Sequence, residues 1–328
     1  MKIKFITTSD LVNLYLFNNH VFIERIDSKS IIDFWYNKGS KEYNSSIILT
    51  GENEEIWGQI LSSSMLYFYQ NSIRQGNWIF DYIVQEDKRK DGYGIDLLQF
   101  ALQNKKVPIF ATGSGPLALK IELKMGFKLI GELKKYVGIS NPIFLPVSVF
   151  RGIIPKKKYP VSVKTKAATF QLTYAGLLPD YSNTFNPELL EFGRDNAFLN
   201  WRYFSDLHEY TFYKQVRGDD YFVVRTIVKK GITCLVLVDY RCDFSNKQNF
   251  STLLNAVKKV ASKLKLAVIV SGSSLKIADE MFEKKGFKSI GRPRPIISTE
   301  KFKEEQQRIT NREFVFTTLA DSDGEINW

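Results

Sequence analysis

Apolar and polar positions alternate over short segments in the first half of the chain, and longer segments there show helical spacing. The β-strands predicted for this half are residues 46–50, 56–69, 76–85, 107–112 and 127–139. Two helices are predicted, over residues 93–103 and 116–125. In the first helix, Ile95, Leu98 and Leu102 recur at the i, i+3, i+7 spacing of one face. The alternation of strands and helices predicts a mixed α/β module.

The second half repeats this order of elements. Its predicted strands are residues 210–217, 221–228, 233–240 and 266–270, and its predicted helices are residues 251–264 and 275–285. Segments 111–131 and 270–291 each contain a strand that ends in Ser/Thr-Gly-Ser, then a helix, then the sequence Gly-Phe-Lys-x-Ile-Gly. Gly126 and Gly286 are 160 residues apart, a domain-sized interval. We therefore interpret the chain as an internal duplication.

The duplication predicts an α/β fold of two tandem modules, each with a mixed central sheet flanked by helices. We expect the first module over residues 1–145, a basic and aromatic connector over 146–200, and a degenerate second module over 201–328. A chain of 328 residues is long enough for roughly two domains. Within the connector, residues 151–179 carry six basic side chains and no acidic one, and prolines flank the lysine run 156–158. Such a segment is a poor helix.

Composition argues against a membrane-spanning, secreted or metal-binding protein. The chain is 44% hydrophobic and carries a formal net charge of +11. No apolar run approaches the ~18 residues of a membrane span, and the first twenty residues lack the apolar stretch of a signal peptide, so we expect a cytoplasmic protein. With two cysteines, Cys234 and Cys242, and two histidines, we expect buried thiols and no metal site.

One glycine-rich loop carries candidate chemistry. It connects the strand ending at residue 85 to the helix beginning near residue 93 and contains Arg89-x-x-Gly92-x-Gly94. Glycines at a helix N-terminus let backbone N–H groups approach an anion, and the helix dipole favours negative charge there, so the loop would accept a pyrophosphate. The alternative is an ordinary strand-to-helix turn with solvated basic side chains. No Walker lysine follows, and the third glycine of a dinucleotide fingerprint is missing.

In its context, the loop resembles the GNAT superfamily of acyl-CoA-dependent acyltransferases. The VxPxxRxxGxG motif of that family is matched at Val84, Arg89, Gly92 and Gly94. The family segment AxxLYxKxGF is matched at Ala118, Ile121, Lys124, Gly126 and Phe127. The resemblance covers residues 1–140 and, more weakly, residues 200–295.

This resemblance implies a GNAT fold and acetyl-CoA as the acyl-donor substrate, and the small number of Cys and His residues implies no metal. The resemblance also implies that the CoA pyrophosphate is held by the backbone amides of Arg89, Lys90, Asp91, Gly92, Tyr93 and Gly94. The amide of Val84, or of a neighbour, would polarise the thioester carbonyl and stabilise the tetrahedral intermediate. An amine would then attack the thioester directly, with a base to accept its proton and an acid to protonate the thiolate.

The acid and base positions depart from the family pattern. The tyrosine that commonly serves as the acid is replaced by Glu122 in the first module and by Phe282 in the second, and Gly115 replaces a frequent asparagine. Our candidates are therefore Asp81 as the base, directly or through water, and Tyr82 or Tyr136 as the acid. The alternatives are a strand carboxylate that faces solvent or pairs with a lysine, and tyrosines that pack in a core.

The second module lacks the loop. No glycine occurs between Ile232 and Gly272, so we expect one acyl-CoA site, and a second module that either shapes the acceptor cleft or is structural. The connector segment 198–204 clusters aromatic residues around Arg202. It would stack on a sugar, bind an anionic acceptor or anchor the connector in a core. Carboxylates near the end of the chain, Asp321 and Asp323, would meet an amine or lie in solvent. These segments resemble those of acyltransferases that act in bacterial surface-polysaccharide biosynthesis.

The sequence thus predicts an N-acetyltransferase that transfers acetyl from acetyl-CoA to a primary amine of a small molecule, an amino-sugar being one candidate. The alternatives are a CoA-binding module without catalysis, and an acyltransferase whose acceptor is a protein or a polyamine. A nucleic-acid surface over residues 151–166 is disfavoured, because Tyr159 is the only aromatic residue there and no nucleic-acid-binding motif accompanies it. The intact CoA loop argues against an aminoacyl-tRNA-using relative.

Overall fold

The computed structural model describes residues 1–23, 25, 27–38, 46–146, 158–175, 178, 189–300, 302 and 314–321. Its β-strands are β1 (Lys2–Phe5), β2 (Ile47–Thr50), β3 (Ile56–Tyr69), β4 (Ser72–Val84), β5 (Ile109–Thr112), β6 (Lys128–Ile139), β7 (Ser162–Lys164), β8 (Thr169–Thr173), β9 (Leu190–Phe192), β10 (Thr211–Gln215), β11 (Tyr221–Lys229), β12 (Ile232–Arg241), β13 (Val268–Ser273), β14 (Phe287–Ser298) and β15 (Val315–Phe316). Its α-helices are α1 (Leu11–Val21), α2 (Ser28–Lys38), α3 (Tyr93–Gln103), α4 (Pro116–Lys124), α5 (Asn196–Tyr203), α6 (Lys247–Lys263) and α7 (Lys276–Lys284). The predicted mixed α/β class is confirmed.

The chain divides into two compact units, each made of three segments. The first unit consists of Met1–Tyr67, Ile73–Ile130 and Pro295–Lys303, and the second of Phe68–Ser72, Gly131–Arg294 and Glu304–Trp328. The chain passes from the first unit to the second within β6 and back within β14. These compact units differ from the modules predicted over residues 1–145 and 201–328, which are sequence repeats of an internal duplication. The module boundaries stay a prediction. Connector residues 147–157, 176–177 and 179–188 lie outside the described residues.

The first unit is built on a sheet in which β1, β2 and β3 are neighbours in antiparallel order, β4 follows, and β4 and β5 are parallel. The end of β14 pairs antiparallel with β5. Helix α3 has the bounds that its periodicity predicts, but the face it buries carries Leu97, Leu98 and Ala101, while Ile95 is exposed. These side chains pack with Ile79 and other apolar residues of the sheet in one core.

Strands of the second unit are neighbours in the order β6, β13, β12, β11, β10, β8, β7. Strands β12 and β13 are parallel, and β6 lies antiparallel to β13. Four apolar side chains of the predicted helix face lie on α6 and pack into the core, Leu253, Leu254, Val257 and Ala261, and Leu264, the residue that follows the helix, packs with them. This face forms because the five positions recur at helical spacing. Strand β15 pairs in parallel with β9.

Candidate functional site

Strands β4 and β5 separate at their carboxyl ends. The ladder between them runs from Asn77 opposite Ile109 to Ile79 opposite Ala111. Strand β4 then continues to Val84, while β5 ends with Thr112, which pairs with Ile296 of β14. An opening at the carboxyl ends of adjacent parallel strands is where open α/β sheets bind ligands. The loop and helix that follow β4 border this opening.

Asp81 occupies a strained position on β4 just beyond the separation. Its φ is +48°, in the left-handed region that a non-glycine residue adopts at a cost of about 1–3 kcal/mol. Both carboxylate oxygens accept hydrogen bonds from the guanidinium of Arg25, each at 2.8 Å. The two side chains are only 5–6% exposed, and Arg25 also lies 3.8 Å above the ring centroid of Phe22. The predicted base is therefore held in a buried, bidentate ion pair.

The next residue, Tyr82, joins β4 to the start of α3. Its hydroxyl donates a hydrogen bond to the carbonyl oxygen of Gly94 at 2.6 Å. Burial raises the pKa of the Tyr82 hydroxyl, and the charge of Glu122 raises it further. A Cβ added at Gly94 would come within 3.0 Å of the Tyr82 hydroxyl oxygen, so the second glycine of the motif is required by a close approach.

The glycine-rich loop forms a short 3-10 turn, Glu86–Asp91, which leads directly into α3. Gly92 adopts φ +82°, and a Cβ there would meet no atom within 4 Å, so the space in front of the helix is open. The Arg89 guanidinium donates from Nε to the carbonyl oxygen of Val84 at 3.0 Å and thereby braces the loop against the end of β4. Lys90 and Asp91 are exposed.

Aromatic side chains pack the glycine-rich loop against strand β3. The Tyr93 ring stacks on Trp57 of β3 with centroids 5.8 Å apart, and Lys88 Nζ lies 5.0 Å from the centroid of the Trp57 ring. The Gln85 amide donates to the Trp57 carbonyl oxygen at 2.8 Å. The first amides of α3, at Tyr93 and Gly94, belong to the turn that has no intrahelical acceptor, so they suit an anion.

Glu122 on α4 is a buried carboxyl that the sequence analysis noted only as a departure. Its residue exposure is 1%, and among the described residues its Oε2 has no hydrogen-bond partner. Burial raises the pKa of this carboxyl, and a hydrogen bond with Ser114 opposes that rise. The sequence did contain a signal for this residue, because Glu122 replaces the tyrosine of the AxxLYxKxGF motif and both side chains are titratable.

Tyr136 has a different environment. It belongs to the second unit, where its side chain is fully buried and its ring stacks on Phe282 with centroids 4.8 Å apart. Of the three candidate acid–base residues, Asp81 and Tyr82 therefore lie beside the loop in the first unit, and Tyr136 lies in the core of the second. Its catalytic role stays a prediction.

The corresponding turn of the second unit is closed by a side chain. Between β12 and α6, the Asn246 side-chain oxygen accepts a hydrogen bond from the Gln248 amide at 3.0 Å and so caps α6. The cap therefore satisfies one of the free amides in the first turn of α6. In α3, which begins after Gly92, no side chain caps the corresponding amides. The expectation of one acyl-CoA site stays a prediction.

Buried charges of the second unit form an internal network. The carboxylate of Asp239 accepts hydrogen bonds from Arg194, Tyr203, Tyr221 and Thr318 at 2.7–3.0 Å. Asp321 pairs with Arg194 at 2.6 Å and is 8% exposed, so the alternative that it is solvated is wrong. Arg202 is also fully buried and donates to the Tyr210 hydroxyl at 2.7 Å, as a core anchor would. Asp323 lies outside the described residues.

Comparison with known proteins identifies the fold. No family model and no curated protein matches the sequence. Among solved structures, a GCN5-related N-acetyltransferase from Anabaena variabilis ATCC 29413 is similar, with a TM-score of 0.63 and 10% identity over 90% of this chain and 72% of that one. The Saccharomyces cerevisiae N-myristoyltransferase with bound myristoyl-CoA has a TM-score of 0.60 and 11% identity over 90% and 82%. At these identities the likeness shows the fold, and the chain has the GNAT fold.

Three further observations concern the described residues. None of their helices is both long and apolar enough to cross a membrane. No group of three or more His, Cys, Asp or Glu side chains in that part of the chain is placed to bind a metal ion. Both cysteines, Cys234 and Cys242, are buried free thiols.

Proposed function

We propose that this protein is an N-acetyltransferase that moves acetyl from acetyl-CoA to a primary amine of a small molecule. The observation that carries the proposal is the open N-terminus of α3, where Gly92 clears the space in front of the helix beside the separated ends of β4 and β5. The same fold in the similar yeast enzyme was solved with myristoyl-CoA bound.

In this proposal the backbone of the loop holds the donor. The amides of residues 89–94 bind the CoA pyrophosphate, and the cations of Lys88 and Lys90 add attraction. The Arg89 side chain contributes indirectly, because its hydrogen bond to Val84 sets the path of the loop. The amide of Val84, or of a neighbour, polarises the thioester carbonyl.

Tyr82 is our preferred acid. It lies on β4 beyond the separation of the strands, and its hydroxyl already reaches the first turn of α3. Tyr136 remains the second candidate. Asp81 can serve as the base only if an incoming amine or a water displaces part of its pairing with Arg25, so base catalysis through water is the simpler form of the proposal.

The acceptor is proposed as an amine, with a nucleotide-linked amino-sugar as one member of the class. Support for the sugar rests on short sequence likenesses, and the burial of Arg202 and Asp321 removes two side chains that would have recognised it. The internal duplication is supported by the repeated order β5, α4, β6 and β13, α7, β14. We place the reaction in the cytoplasm as part of the same proposal.

The experiment combines binding and turnover. Acetyl-CoA at millimolar concentration should raise the melting temperature of the wild-type protein, and Gly92→Glu should abolish that rise by filling the open space with a negative charge. Thiol release is then measured over amino-sugars, polyamines, amino acids and peptides, with acetyl-CoA and myristoyl-CoA as donors. An unchanged melting curve and no thiol release would overturn the proposal.

A second candidate function, CoA binding without catalysis, is favoured by the bidentate pairing that occupies the Asp81 carboxylate. Thermal stabilisation by acetyl-CoA without release of thiol from any donor in the panel would support it over the enzyme.

A further inference from the structure

A cavity in the second unit has no role in the proposed function. It is lined by the turn after β7, residues 165–168, and by the turn after β10, residues 216–220, together with the strand ends beside them. Its volume is about 430 Å³, within the range of small-molecule sites. Three cations line it, Lys164 and Lys166 at the first turn and Arg217 at the second. This basic cavity is therefore a candidate site for an anion.

The first turn is held in shape by a buried threonine. The Thr165 hydroxyl accepts hydrogen bonds from the amides of Ala167 and Ala168 at 3.3 and 2.9 Å, and the Thr165 amide donates to the Ala168 carbonyl oxygen at 2.8 Å. A threonine that bonds the backbone two and three residues ahead fixes the path of a turn. The backbone that carries Lys164 and Lys166 is thus in place before any ligand arrives.

The second turn is fixed in the same way and is joined to the first. The Gln215 side chain donates to the Arg217 carbonyl oxygen at 2.9 Å, and the Val216 amide donates to the Thr169 carbonyl oxygen at 2.9 Å. Strands β8 and β10 are paired, with Gln215 opposite Phe170, so the two turns lie side by side. A ligand bound between them would not have to order either loop, which lowers the cost of binding.

The charges around the basic cavity are not neutralised within the described part of the chain. Lys164, Lys166 and Arg217 are exposed and form no ion pair there, and no acidic side chain lines the cavity. Lys259 of α6 adds a positive charge at the edge, where its Nζ donates to the Lys164 carbonyl oxygen at 2.8 Å. Strands β7 and β8 belong to the segment 151–179, which has no acidic residue. Gathered cations attract anions to such a surface.

The lining indicates the kind of anion. Cations from two separate turns suit an anion with more than one charge. Phosphate oxygens accept hydrogen bonds from several sides at once, and an arginine fork such as that of Arg217 binds two of them together. Beside the cations the cavity has apolar surface from Ala167, Ala168 and Val216. No aromatic ring of the described chain lines it, so it offers no platform on which nucleic-acid bases would stack.

We propose that the basic cavity binds the diphosphate group of a small molecule, with Lys164, Lys166 and Arg217 as the groups that hold it. This site is separate from the glycine-rich loop of the first unit and does not depend on the acetyltransferase function. It gives the acid-free segment of the connector a ligand of small size instead of a nucleic acid.

The test uses inorganic pyrophosphate and the full-length protein. In an NMR titration at low salt, the backbone amides of Ala167, Ala168 and Val216 should shift with a Kd of about 1 mM or lower. Added salt should weaken the binding, because the cations are exposed. The glycine-rich loop also suits pyrophosphate, so the titration is repeated with Gly92→Glu. The shifts at the three amides should persist in that variant.

Variants then identify the cations that bind. Arg217→Gln should weaken binding about fivefold, and Arg217→Gln with Lys166→Gln about twentyfold, since an exposed charge pair is worth about fivefold at the upper end. Lys284→Gln with Lys288→Gln is the matched control, because it removes the same charge from exposed positions outside the cavity. The control should bind as the wild type does. Melting temperatures of all variants should stay unchanged, which excludes a loss of folding.

Other outcomes overturn the proposal in defined ways. Absence of shifts at the three amides, or equal weakening in the control, would mean that pyrophosphate has no site in the cavity. Inorganic phosphate or citrate bound as tightly as pyrophosphate would show that a diphosphate is not the preferred anion. A single-stranded oligonucleotide bound far more tightly at the same amides would make the cavity part of a nucleic-acid surface. If acetyl-CoA fails to bind while the amide shifts persist, the acetyltransferase function fails and the basic cavity stands.

Discussion

The buried ion pair between Arg25 and Asp81 determines whether β4 can hold its strained residue beside the candidate site. Replacing Arg25 with methionine keeps the length of the side chain but leaves the Asp81 carboxylate buried without its partner. Because both side chains are only 5–6% exposed, water cannot readily replace the guanidinium. Loss of one member of a buried pair costs about 3–5 kcal/mol, so Arg25→Met should lower the free energy of unfolding of the first unit by that amount.

Two further variants separate the ion pair from the backbone strain. Asp81→Asn keeps a residue that tolerates the left-handed region, and the double variant Arg25→Met with Asp81→Asn removes both charges at once. The double variant should be more stable than Arg25→Met alone, with a coupling energy of about 2 kcal/mol or more. Urea unfolding followed by tryptophan fluorescence measures this, since Trp35, Trp57 and Trp78 all belong to the first unit.

The reasoning would be refuted by either of two results. A loss below about 1 kcal/mol in Arg25→Met is the size expected of a solvated surface pair, so the carboxylate would have another partner or reach water. Losses that simply add in the double variant would mean that the two side chains do not stabilise each other.

Three more predictions concern other parts of the chain. Gly94→Ala should reduce stabilisation by acetyl-CoA in thermal shift assays, because its Cβ meets the Tyr82 hydroxyl at 3.0 Å, and adding Tyr82→Phe should restore part of it. Burial favours neutral Asp239, but its arginine partner lowers the pKa to about 2 from 3.8, so its stabilisation is complete above about pH 4 and is lost as pH falls toward 2. The difference in urea midpoint between wild type and Asp239→Asn should therefore shrink over that range. Burial and then Lys229 lower the pKa of Lys135 to about 8, so Lys229→Met should raise it in an NMR titration.

Local patterns predicted the elements that form from local spacing. Helix α3 has the predicted bounds, Tyr93–Gln103, and the helix predicted over residues 251–264 overlaps α6, Lys247–Lys263. The glycine-rich loop before α3 was also predicted, because glycines before a helix mark a backbone requirement that one short segment contains. Its role in binding CoA stays a prediction. Even here the orientation of α3 was imperfectly predicted, since the face buried by a helix depends on the sheet that it covers.

Ion pairs between residues that are distant in the sequence could not be predicted from local patterns. Arg25 and Asp81 are 56 residues apart, and one of the alternatives for Asp81 was a lysine partner. Asp321 lies in a short acidic segment that resembles a solvated tail, and its burial depends on Arg194, far earlier in the chain. A carboxylate in a polar sequence is exposed unless a distant cation meets it, and sequence spacing does not reveal that cation.

The Asp239 network of the second unit and the candidate site of the first unit hold their polar groups in different ways. In the second unit, the buried carboxylates Asp239 and Asp321 are paired with Arg194, and the start of α6 is capped by Asn246. In the first unit, β4 holds a non-glycine residue at positive φ, α3 opens on uncapped glycine, and Glu122 leaves an oxygen unsatisfied. Strain and unsatisfied polar groups lower stability and concentrate at functional sites, whereas paired networks serve a unique core. The Asp239 network therefore fits a structural role in the second unit, and the strained, uncapped segment of the first unit fits the site that we propose there.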